Sequence, residues 1–143
     1  MKGFVYILAI LIILISLPGL AREGNKKAGD NHQNTVLSLI EGLQSNNTGL
    51  KTSCAYMLGE LKVTEAIIPL MKMLRNCKCE EVRIATALAL YKIGTPLSIH
   101  AVKQAGIFDE SKRVSRMASN FYFDYLRNKK GKNEAPDSLA NAE

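Results

Sequence analysis

Three cysteines, Cys54, Cys77 and Cys79, and two histidines, His32 and His100, are the first candidates for metal binding or nucleophilic chemistry. Their spacing supports neither. Zinc sites place two to four residues between paired ligands, and Cys77-Lys78-Cys79 leaves one. His32 lies in a polar stretch and His100 at a surface position of an expected helix, so both read as solvated. Asp30, Asp109 and Asp124 are isolated carboxylates, and Asp109 reads as a helix cap. No Gly-rich phosphate loop, nucleophile elbow or His-Glu-x-x-His occurs. The expectation is a chain with no catalytic residue, no cofactor and no metal. Cys54 sits in an apolar helical stripe and reads as a small core residue. An odd thiol count leaves one over, and a bond from Cys54 to Cys77 or to Cys79 is compatible with the sequence.

The ends of the chain suggest export. Lys2 precedes an uninterrupted apolar run from Phe4 to Leu17, closed by Pro18-Gly19-Leu20-Ala21. Small residues at 19 and 21 suit signal peptidase, so residues 1–21 are expected to be a cleaved leader and the protein periplasmic or secreted. The alternative is an uncleaved anchor, because the apolar segment reaches the short end of what spans a bilayer. That would make a membrane-tethered adaptor facing outward. Residues 22–33 are polar and glycine-containing, a flexible lead, and 128–143 is expected to be a disordered polar tail. The net charge is +6, from 19 Lys and Arg against 13 Asp and Glu. Nucleic-acid binding wants a dense basic face with aromatics among it, so this charge, with Lys129, Lys130 and Lys132 in the tail, reads as solvated surface.

Between the two ends, residues 34–127 carry apolar residues at helical spacing, interrupted by turn residues. Six helices are expected. The first carries Val36, Leu39, Ile40 and Leu43. The second places Leu50, Cys54, Met57, Leu58 and Leu61 on a stripe. Thr64 is expected to cap the third, which holds Ile67, Leu70 and Leu74. The fourth runs Glu80 to Ile93 and is stopped by Gly94; Thr95-Pro96 opens the fifth, which Gly106 ends. The sixth continues to about Arg127.

These helices repeat. Leu50, Val82 and Val114 lie 32 residues apart, as do Cys54, Thr86 and Ala118, then Leu58, Leu90 and Tyr122. Ile67 and Ile99 continue the register, as do Leu70 and Val102. A repeat of two helices marks an all-α fold, a short α-solenoid whose pairs stack because none covers its own apolar face. The fourth helix is apolar nearly all round, as the centre of a stack requires.

The segments Leu50–Leu61 and Val82–Gly94 resemble the first helix of HEAT-like repeats of the phycobilisome-lyase type, which read Val-Arg, small residues, Ala-Leu-Gly and Ile-Gly. Glu65–Leu74 is similar to the family's second helix, with its proline before the closing leucines. The resemblance implies a helical scaffold, and some such relatives attach bilins to cysteine. The turns Val63-Thr64 and Thr95-Pro96 lack the family's aspartate, so Lys51 and Arg83 are expected to be without a ladder partner. The third copy, Val114 to Leu126, reads as a degenerate cap.

For function, the reading is an exported scaffold for protein–protein interaction, binding an unidentified protein and no nucleic acid. Phe123 points away from the core stripe of the last helix, suggesting that this end docks a partner or a second copy. Lys51, Arg83 and Arg116 are candidates for a basic ridge facing an acidic partner. The alternative is an accessory or lyase-like enzyme component.

Overall fold

The computed structural model describes residues 28–133. The chain divides into two compact units, residues 1–31 and 32–143. Of the first, only the helical turn Ala28–Asn31 is described. The expected leader therefore lies outside the described residues, as do residues 22–27 of the lead and 134–143 of the tail. No helix of the described residues is long and apolar enough to cross a membrane.

The described residues form six helices in order: α1 (Ala28–Gly42), α2 (Thr48–Glu60), α3 (Ile67–Asn76), α4 (Glu80–Ile93), α5 (Pro96–Phe108) and α6 (Lys112–Asn133), with a 3-10 turn at Thr64–Ala66. Among the described residues there is no strand. Two boundaries run past the expected ones. Helix α1 begins at Ala28, inside the stretch read as a lead, and α6 extends to Asn133, inside the stretch read as a tail. Residues 31–35 and 126–131 are exposed. Turns that bury nothing leave no apolar period to read.

Local chemistry sets the other ends. Asn47 Oδ1 accepts from the Leu50 amide at 3.0 Å and opens α2. Thr95 Oγ1 accepts from the Ser98 amide at 3.2 Å, with Pro96 in the first turn where its missing N–H is harmless. Gly94 closes α4 at φ 73°, a left-handed conformation. Three expected caps differ. Thr64 donates its hydroxyl to Glu65, and α3 is entered through the 3-10 turn without a side-chain cap. Helix α5 passes Gly106 and continues to Phe108; the Gly106 carbonyl accepts from the Ser115 and Ser119 hydroxyls of α6 at 2.5 and 3.3 Å. Ser111, not Asp109, caps α6, accepting from the Arg113 and Val114 amides.

Helices α2, α4 and α6 lie side by side in one layer, with α3 and α5 in a second. Central α4 packs against α2, α3, α5 and α6, which is why it is apolar nearly all round. Several sets of equivalent positions share one fate: Leu58 and Leu90, Ile67 and Ile99, Leu70 and Val102, and Cys54, Thr86 and Ala118 are all buried. Truncating a buried leucine of this set to alanine costs about 2–5 kcal/mol. At Gly59 a Cβ would sit 2.7 Å from Ala89 Cα, so this glycine sets how closely α2 and α4 approach. The expected stripe of α2 is corrected at three places. Leu50, Met57 and Leu61 are exposed, whereas Val82, Ala89 and Ile93, one repeat later, are buried. Among the described residues, helix α4 has first-layer neighbours on both sides, whereas α2 has α4 on one side only.

Candidate functional site

Arg83 was read from the sequence as part of an exposed basic ridge without a carboxylate partner. Its side chain is 4% exposed, and Asp109, 7% exposed, pairs with it. Nε donates to Asp109 Oδ2 and Nη2 to Oδ1, both at 3.0 Å. Nη1 donates to the Cys77 carbonyl at 2.7 Å and to the Lys78 carbonyl at 3.3 Å. Burial, the largest single influence, lowers the guanidinium's pKa; the Asp109 hydrogen bonds together with the charges of Asp109, Glu110 and Glu80 outweigh it and raise the pKa above the ordinary value. The arginine thus ties the turn before α4 to the turn before α6. Its partner comes from the turn after the second helix of a pair, not from the Val63-Thr64 or Thr95-Pro96 turns after the first.

Lys51 occupies the same place one repeat earlier, and the residue corresponding to Asp109 there is Cys77. Lys51 is half-buried, and Arg116 is exposed on α6 at the register of Ile84, not of Arg83. The three cations therefore form no continuous ridge. In the same register Cys77-Lys78-Cys79 stands where the next junction has Asp109-Glu110-Ser111. Cys79 fills the N-cap position of α4 without a side-chain cap bond, and its thiol donates to Glu81 Oε2 at 3.0 Å. That contact, followed by smaller ones, lowers the Glu81 pKa. All three cysteines are free thiols, and burial raises the Cys54 pKa. Among the described residues no group of three or more His, Cys, Asp or Glu could hold a metal ion. His32 and His100 are exposed.

Two clefts open on the solenoid. One, of about 650 Å³, lies between α3 and α5, lined by Arg75, His100, Gln104 and Phe108 with the Arg83–Asp109 pair in its wall. The other, of about 590 Å³, runs between α2 and α4 and is lined by Tyr56, Met57, Ile84, Ala85 and Leu88, with Glu81 and Arg113 at its edge. Ion pairs at the repeat spacing brace this second groove. Arg113 reaches Glu81 at 3.3 Å and Glu80 at 3.9 Å. Lys92 bonds Glu60 and lies 4.4 Å from the Tyr56 ring centroid. The Lys92 bond, then the Tyr56 bond, lowers the Glu60 pKa, and the Glu60 bond raises that of Lys92. Sequence reasoning missed this groove. Its signal was present in Tyr56, Ile84 and Leu88, which fall outside the core stripes.

The last helix divides as expected. Phe121 stacks on Tyr91 at 5.7 Å, and Tyr91 donates to Asp124 Oδ2 at 2.6 Å, joining α4 to α6. Phe123 is 60% exposed.

The pattern of HEAT repeats matches residues 36–119, more than half of the chain. No curated protein matches it. A solved structure similar to it is human deoxyhypusine hydroxylase in complex with glycerol, with a TM-score of 0.57 and 28% sequence identity. That likeness covers 65% of this chain and 32% of the other, so the chain spans about a third of the enzyme's length. Stacked helix pairs and the matching repeat pattern agree: the chain belongs to the HEAT-repeat family.

Proposed function

We propose that this protein is an exported scaffold that acts by holding a protein partner, without catalysis of its own. The α2–α4 groove carries the reading. Tyr56, Met57, Ile84, Ala85 and Leu88 give it an apolar floor, and ion pairs border it. A concave apolar strip with a polar rim is what a partner's side chains need in order to lose water on binding. Rigid helices on both sides keep the entropy of binding small. The export part rests on the leader pattern, Lys2 followed by Phe4–Leu17 and the small residues at 19 and 21.

The test is cross-linked affinity capture from the envelope of the producing cell, wild type against Met57→Glu and Leu88→Asp. A partner retained by wild type and lost from both variants, with helix content unchanged, supports the scaffold. Equal capture by all three sinks it. The likeness to deoxyhypusine hydroxylase favours a second reading, an accessory or lyase-like enzyme component, and the lyase-type pattern of Val82–Gly94 supports the same idea. Activity that survives purification and is lost with the groove variants would prefer it.

A further inference from the structure

Helix α6 contains seven of the chain's lysines and arginines and one acid, Asp124. Its net charge of +6 equals that of the whole chain, so the remaining basic and acidic residues cancel. The positive field of this protein therefore comes from one helix at one end of the stack.

The charge is also ordered around that helix. At 100° per residue, Lys112, Arg116, Phe123, Arg127 and Lys130 fall within about 60° of each other. The stripe is about 27 Å long at 1.5 Å per residue. It lies opposite Val114 and Ala118, which are fully buried, and all five of its residues are exposed. Asp124 lies beside the stripe, where it accepts from Tyr91 and pairs with Arg127 at 3.6 Å, leaving Lys112 and Arg116 on a face without a carboxylate of its own helix. Neither cleft is lined by a residue of the stripe.

We infer that this face of α6 rests on an anionic phospholipid surface, with Phe123 entering the headgroup layer. A protein interface needs a buried apolar centre inside a polar rim, and this convex face offers Phe123 and its neighbour Leu126 against four cations. A lipid surface asks only for that pattern. Each lysine or arginine near acidic headgroups adds attraction, long cationic side chains reach the phosphates, and an aromatic ring sits at the interface. A second copy fits poorly, since two such faces would set four cations against four.

The experiment is co-sedimentation of the full chain with vesicles of phosphatidylglycerol and phosphatidylcholine in equal parts, against vesicles of phosphatidylcholine alone. The apolar run at residues 4–17 adds similar affinity to both, so the difference between the two reads α6. The expected result is a clear preference for the acidic vesicles that falls steeply with salt. Replacing Arg116→Gln and Arg127→Gln together lowers acidic-vesicle binding roughly thirty-fold. Phe123→Ala weakens it by several-fold, and Met57→Glu in the groove leaves it unchanged. Equal binding to the two vesicles, or a preference untouched by the double Gln variant, overturns the inference. So does tighter retention by duplex DNA at the same salt, or a dimer that Phe123→Ala dissolves.

Discussion

Arg83 and Asp109 stand 26 residues apart in the chain and meet through two parallel hydrogen bonds of 3.0 Å. A planar guanidinium facing a carboxylate is the strongest common form of such a pair. Here it is buried and also holds two backbone carbonyls of the preceding turn. One side chain thereby fixes the spacing of consecutive helix pairs.

Removing one partner should therefore hurt more than removing both. Asp109→Ala leaves the buried cation with only the exposed Glu110 carboxylate, 3.5 Å away, as counter-charge and should cost about 3 kcal/mol in urea denaturation. Adding Arg83→Met to that variant should recover part of the loss, because no uncompensated charge remains. An Asp109→Ala protein as stable as wild type would show that water screens this pair.

Lys62 adopts φ 51° at the end of α2, and Gly94 takes the corresponding left-handed place one repeat later. A lysine there crowds its Cβ against the backbone. Lys62→Gly should raise stability by about 1 kcal/mol, visible as a higher Tm, since relief of a left-handed residue is worth about 1–2 kcal/mol before the entropy of glycine is subtracted. A lower Tm for Lys62→Gly would mean that the lysine makes a compensating contact.

Tyr91 should give the alkaline limb of the stability curve. Its bond to Asp124, then burial, raises the phenol's pKa above the ordinary value. The folded pKa exceeds the unfolded one, so the stabilisation is complete below about pH 10 and is lost as pH climbs through the folded value. Tyr91→Phe should remove about 1 kcal/mol at neutral pH and flatten the decline above pH 10. Unchanged slopes in the two proteins, followed by chemical denaturation across that range, would exclude this bond as the cause.

The periodic apolar positions were enough to place all six helices and to single out α4 as the centre, because burial repeats every 32 residues and leaves a repeating composition. The Arg83–Asp109 contact was not legible. It crosses 26 residues, so aligning like positions at 32 passes over it, and the aspartate was assigned to a helix cap that Ser111 supplies. Leu50, Met57 and Leu61 misled for a related reason. Apolarity marks which residues are able to be covered, but coverage depends on a neighbouring helix, and among the described residues α2 has a first-layer neighbour on one side only. Of the proposed surface residues, Phe123 and Arg116 face solvent as expected, whereas Arg83 serves the interior.

A helical stack has no intrinsic stopping point, and its last rod could template another pair from a neighbouring molecule. The lysines and arginines along α6 oppose one such contact, that between the last helices of two molecules, since both carry the same sign. The cation-rich rod thereby keeps two molecules from joining through their last helices, and this protection should weaken wherever counter-ions are abundant.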